Sequence, residues 1–232
     1  MRPSLVSLAI LLATFAPATS IRDAVRALES RYRHARTLKA EFFERYSDGN
    51  GGSAAESGTV LFSRPGRMRW EYESPEKKLF LVDGTNVWFY VPADRTASRA
   101  KLKESSDWRT PLALLAGNAD LGHLCRSIEF VNSSATKENK EDVPTAPGDT
   151  LLRCLPRSNP SPEGDSLHEV LFETDTGGRL VRVVIREAGN VETEFRFANW
   201  EENLPLPETA FHFIPPPGVA VVDEATLAGT IH

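Results

Sequence analysis

The chain has 232 residues, 41 % of them hydrophobic, a formal net charge of −5 and two cysteines. That acidic balance carries no basic footprint for nucleic acid, and the length sits within what one all-β domain uses. No stretch reaches the roughly 20 apolar residues that a membrane-crossing helix needs, so a soluble protein is expected.

Arg2, the apolar run Leu5–Phe15 and the small residues Ala16, Ala18 and Ser20 read as a secretory signal peptide, residues 1–20, with cleavage after Ser20. The mature chain, residues 21–232, is expected to form a single domain outside the cytoplasm. No cysteine follows the cut, so an acylated N-terminal tether is not expected. Cleavage removes Arg2 and no acid, which moves the charge from −5 to −6.

Ile21, Ala24, Val25, Leu28, Tyr32 and Ala35 recur at helical spacing, and Ser20 with Asp23 resembles a capping box. The period then changes to two, with Leu38, Ala40 and Phe42 on one face. Strands are predicted at 58–63, 68–72, 78–82 and 86–91, the last two joined by an Asp83-Gly84 turn in which both residues accept positive φ. Thr110-Pro111 opens a short apolar helix that closes at Gly117. Further strands are predicted at 127–131, 150–155, 167–174, 180–186 and 192–197. The charged, proline-containing stretches 137–148 and 156–165 read as solvated loops. One helix, many short strands and one inserted helix fit a strongly bent antiparallel sheet or barrel with helices over one opening, against a closed β-sandwich as the competing architecture.

Cys125 and Cys154 are candidates for a disulfide in an oxidising compartment. If 127–131 and 150–155 pair with Ile128 opposite Leu151, the two cysteines face each other. Phe42, Phe62, Trp70, Tyr72, Phe80, Trp88, Tyr90, Phe172, Phe195, Phe197 and the leucines Leu112, Leu114 and Leu115 are the large apolar candidates for the inside. Composition leaves open whether they pack a core or line an apolar pocket. No nucleophile elbow, zinc-binding HExxH, phosphate-cradling glycine loop or CxxC motif is present, and His34, His123, His168, His212 and His232 stand singly. The reading is a non-enzyme without metal or cofactor.

The run Phe62-Ser63-Arg64-Pro65-Gly66-Arg67-Met68-Arg69-Trp70-Glu71-Tyr72, then Ser74-Pro75, then Val82-Asp83-Gly84-Thr85-Asn86-Val87-Trp88-Phe89-Tyr90-Val91-Pro92, resembles the signature of the LolA-type periplasmic outer-membrane lipoprotein carriers. Thr110-Pro111-Leu112 and the ending Phe211-His212-Phe213-Ile214-Pro215-Pro216-Pro217-Gly218-Val219 extend the resemblance over nearly the whole mature chain. It implies a mainly β fold, an incomplete antiparallel β-barrel with an α-helical lid enclosing an apolar cavity for lipoprotein acyl chains. It further implies a monomer in the periplasm that takes acylated lipoproteins from an inner-membrane ABC lipoprotein-releasing complex and passes them to an outer-membrane lipoprotein acceptor. Arg64 matches the family's arginine before proline, which holds the lid shut. Phe42, Phe62, Trp70, Tyr72, Phe80, Trp88, Tyr90, Leu112, Leu114 and Leu115 then become the acyl-cavity candidates. The cysteine pair and the longer, charged second half depart from the family pattern. A carrier of other lipids and a lipid- or lipoprotein-sensing envelope-stress module on the same fold remain alternatives.

Overall fold

The computed structural model describes residues 20–102, 115, 120–131, 142–157 and 167–223. The expected signal peptide apart from Ser20, the cavity candidates Leu112 and Leu114, and most of the helix expected at 110–117 lie outside the described residues; Leu115 of that stretch is helical and fully buried.

Helix α1 spans Ile21–His34. Ser20 starts it as foreseen: its hydroxyl accepts from the Asp23 N–H at 3.2 Å and donates to the Asp23 carboxylate at 2.6 Å. Arg31, Arg33 and His34 sit in the last turn, where cations suit the negative end of the helix dipole. Leu28 and Tyr32 face inward and are buried. The Tyr32 hydroxyl accepts from the Leu180 N–H at 2.8 Å, and burial pushes the phenol up to about 12.

Strands β1 (Thr37–Ser47), β2 (Ser53–Ser63), β3 (Arg67–Ser74), β4 (Lys78–Val82), β5 (Asn86–Val91) and β6 (Thr96–Lys101) form one antiparallel meander. A short helix α2 (Leu121–Leu124) leads into a second meander of β7 (Cys125–Phe130), β8 (Thr150–Pro156), β9 (Leu167–Thr174), β10 (Leu180–Glu187) and β11 (Glu192–Glu202). Antiparallel pairing of β1 with β11 joins the two, and β12 (Ala220–Asp223) adds in parallel to β6. The result is one open 12-stranded sheet in the order β12-β6-β5-β4-β3-β2-β1-β11-β10-β9-β8-β7. It replaces the sandwich alternative, because every described strand belongs to a single ladder.

The inner face holds the main core. Along β1, Leu38, Ala40, Phe42 and Glu44 are buried in strict alternation. Phe42 meets Trp70 at 4.8 Å and Tyr72 at 5.0 Å, both edge-on, and Trp70 lies 5.4 Å from Phe195. Gly58 stands opposite both Phe42 and Tyr72. A Cβ there would lie 1.8 Å from the Glu71 carbonyl oxygen, so β3 approaches β2 this closely only because position 58 is glycine.

Several sequence expectations are corrected. In the 83–84 turn only Gly84 adopts positive φ, at 98°. Asp83 instead lends its carboxylate, which accepts from the N–H groups of Thr85 (2.8 Å) and Asn86 (2.7 Å) and from the Trp88 indole (3.2 Å). Cys125 and Cys154 are joined by a disulfide with Cα atoms 5.5 Å apart. The register is not the one expected: Ile128 faces Cys154 and Cys125 faces Pro156, with an irregularity between Cys125 and Ser127. The bond therefore crosses the ladder diagonally.

The outer face is covered in two places. Over β4 and β5, Leu79, Leu81 and Trp88 pack with Tyr90 and Phe213. Phe211 is buried nearby beneath the Arg67 guanidinium, 5.4 Å from its ring, and Arg69 donates to the Ala210 carbonyl at 3.1 Å. Over β8 to β10, Val131, Leu151, Leu171 and Val184 form a separate apolar cluster. Beside it the described end of the stretch expected to be solvated, residues 142–148, stays exposed at 143 and 145–148 but is anchored by charge at Asp142 and by bonds to Val143 and Thr145. Asp142 accepts from Arg186 at 2.6 Å and Arg153 at 3.2 Å, Arg182 donates to the Val143 carbonyl at 2.8 Å, and Glu173 accepts from the Thr145 hydroxyl at 2.7 Å. Asp142 is only 2 % exposed, because strand arginines satisfy it where water would otherwise be required.

Candidate functional site

The inner face of the sheet is the candidate site. Phe42 (β1), Phe62 (β2), Trp70 and Tyr72 (β3) and Phe80 (β4) all lie on it with no more than 3 % exposure, together with Leu115. Trp88 and Tyr90 do not. Phe80 pairs with Phe89 and Leu81 with Trp88, so the β5 ring on the inner side is Phe89, while Trp88 and Tyr90 point outward against Phe213. The length of the turn after Val82 sets this register, and a one-residue difference exchanges the faces.

The second meander adds Phe172, Phe195 and Phe197 to the same core. Besides Phe89, the contributors that escaped the sequence reading as site residues include Leu28 and Tyr32 from α1, and Trp200. Trp200 donates to the Leu180 carbonyl at 2.8 Å and its ring lies 5.6 Å from Tyr32. The helical period of α1 pointed Leu28 and Tyr32 inward; Trp200 lies beyond the strand end expected at Phe197.

Arg64 follows directly on β2. Its N–H donates to the Arg36 carbonyl at 2.9 Å, just past the end of α1, and its side chain is half-buried. Burial, with Arg33 nearby, holds the guanidinium below its ordinary range. A cation so placed requires acceptors around it. The lid segment expected to supply them lies outside the described residues.

At the opposite end of β1 to β4 the apolar lining gives way to a polar row. Glu44, 3 % exposed, accepts from the Tyr72 hydroxyl at 2.9 Å. Glu56 stands opposite Glu44 on β2, and Lys78 stands opposite Tyr72 on β4. The Lys78 ammonium reaches Glu56 at 2.5 Å and lies 5.9 Å from the centre of the Tyr72 ring. Just past the row, Ser53, Ala54, Ala55, Glu73 and Ser74 are exposed.

Among the described residues no three His, Cys, Asp or Glu side chains gather in a way that would hold a metal, and no helix is long and apolar enough to cross a membrane. His123 contacts Asp120 at 2.8 Å in an exposed pair.

Residues 33–141 match the family described as outer membrane lipoprotein carrier protein LolA. The outer-membrane lipoprotein carrier protein of Dechloromonas aromatica is 31 % identical over 90 % of this chain and 91 % of its own. The protein of the same name from Nitrosospira multiformis is 29 % identical over 89 % and 91 %. A conserved protein of Thermus thermophilus with a known crystal structure shares the fold with a TM-score of 0.52 at 11 % identity, over 88 % of this chain and 98 % of its own.

Proposed function

This chain belongs to the LolA family of outer-membrane lipoprotein carriers, and from that premise we propose how it carries its cargo. Residues 1–20 are removed on export, and residues 21–232 work in the periplasm as a monomeric single-domain carrier without catalytic activity. The acyl chains of a lipoprotein lie against the inner face of the sheet. The observation that carries this reading is the cluster of buried rings Phe42, Phe62, Trp70, Phe80 and Phe195 on the inner face of an open sheet. Cargo comes from an inner-membrane ABC lipoprotein-releasing complex and goes to an outer-membrane lipoprotein acceptor.

Energetics set the terms of the exchange. Burial yields about 0.8 kcal/mol per methylene, so a chain of roughly 15 carbons gains about 12 kcal/mol on leaving water. Release into solvent is therefore too slow, and transfer requires direct contact with a receiver. Arg64 keeps the empty cavity closed by bonding to the lid, and those bonds are exchanged for acyl contacts on loading.

Native mass spectrometry with lipid analysis of the mature protein from its own periplasm tests the reading. Stoichiometric acylated protein is the expected result, and an empty protein would count against it. Arg64→Leu is expected to load cargo and fail to transfer it; normal transfer removes the assigned role.

A further inference from the structure

We propose that the row Glu44–Tyr72–Lys78–Glu56 is a head-group subsite that takes the neutral ester-and-amide linkage of an acylated lipid. The inference rests on the acyl-carriage reading and adds to it an orientation and a selectivity.

Position is the first argument. The row is contiguous with the rings through Tyr72, whose ring lies 5.0 Å from Phe42, and it is the last shielded level before the strand ends become exposed. A lipid with its chains on the rings and its linkage at this level leaves the attached polypeptide in water. Arg64 stands at the other end of β2, where Ser63 pairs with Thr37, so chain tips point toward Arg64 and α1.

Chemistry is the second. The Lys78 ammonium has three donors, one of them given to Glu56 at 2.5 Å, while the one proton of the Tyr72 hydroxyl goes to Glu44 and its oxygen acts as an acceptor. Ester carbonyls accept from the ammonium, while Glu44, Glu56 and the Tyr72 oxygen accept from an amide N–H. The same two carboxylates repel a free fatty-acid carboxylate. The side chains of Lys78 and Glu56 are 11 % and 13 % exposed, so a linkage seated among them is largely removed from competing water.

The test compares two probes on the mature protein: a synthetic dipalmitoylglyceryl-cysteine peptide and palmitate, each read by displacement of a bound fluorescent alkyl dye. The wild type is expected to favour the diacylglyceryl peptide. Lys78→Met and Tyr72→Phe each weaken that peptide about tenfold relative to the dye, or roughly 1.4 kcal/mol. Glu56→Gln strengthens palmitate several-fold. Thermal unfolding confirms that each variant is folded, and if Lys78→Met fails to fold, Tyr72→Phe carries the test. Equal losses for peptide and dye, or no loss in a folded variant, overturn the subsite and leave carriage standing. A wild type that binds neither dye nor peptide overturns carriage and the subsite together.

Discussion

The two covered regions of the outer face solve one problem with opposite chemistry. On one flank the C-terminal segment lays Phe213 on Leu79, Leu81 and Trp88 and buries Phe211 beneath the Arg67 guanidinium, with Arg99 over the Trp88 ring. Over β8 to β10 the cover is held by charge: Arg182 with Glu173 at 2.6 Å, both almost fully buried, and Asp142 between Arg153 and Arg186. The apolar cover gains by removing surface from water. The ionic one gains little over an apolar equivalent yet suffers heavily when one partner is lost, because a buried charge is left alone. The same curved sheet is thus tolerant on one flank and brittle on the other.

The largest expected effect is on the brittle flank. Glu173→Ala is expected to cost about 3 to 5 kcal/mol in urea denaturation, and the double change Glu173→Leu with Arg182→Met to recover most of it. A double variant no more stable than the single one would show that the ions do more than neutralise each other.

Next comes Phe211→Ala on the apolar flank, at about 3 kcal/mol. Its cost should hold in about 1 M salt, which screens exposed charges but not packing; a cost that vanished in salt would shift the credit to Arg67. Replacing both Cys125 and Cys154 by alanine is expected to cost roughly 2 to 3 kcal/mol, with hydrogen exchange rising first in β7 and β8.

The smallest effect is a pH dependence. Burial alone would raise Glu194, but hydrogen bonds and charge from Arg196 and Arg45 outweigh it and hold the carboxyl below its ordinary range. Its contribution is complete above the ordinary glutamate range and is lost as pH falls through its lowered value. Glu194→Gln should therefore flatten the fall of stability in that acid window while lowering stability near neutrality.

What could be read from the sequence followed local patterns. The bounds of β4, β5 and β9 were visible because large apolar residues there are framed by turn residues. Strand β6 was not, because its buried residues are Ala97 and Ala100, too small to mark an alternation. The stretch 142–148 is largely exposed as its composition suggests, but the burial of Asp142 was hidden because a carboxylate reads as solvated until Arg153 and Arg186 arrive from distant strands. One signal was available: Val183-Val184-Ile185 is apolar on both faces, as is Leu79-Phe80-Leu81, and such runs announce a strand covered on both sides. For the site, Phe42, Phe62, Trp70, Tyr72 and Phe80, singled out as large apolar side chains, lie on the inner face, whereas Trp88 and Tyr90, singled out on the same ground, point outward because strand register decides the face.

The β1–β11 seam also bears on how the chain reaches this state. Each meander is built from neighbours in sequence, but Leu38 meets Glu202 and Phe42 meets Phe197. A chain emerging from its N-terminus can assemble β1 to β6 early, yet the outer edge of β1 must wait for the last residues of the second meander. Through that interval it is an unpaired edge backed by an apolar face, the kind of surface that recruits strands from other chains. The slow and vulnerable moment in the life of this protein is thus its own zippering.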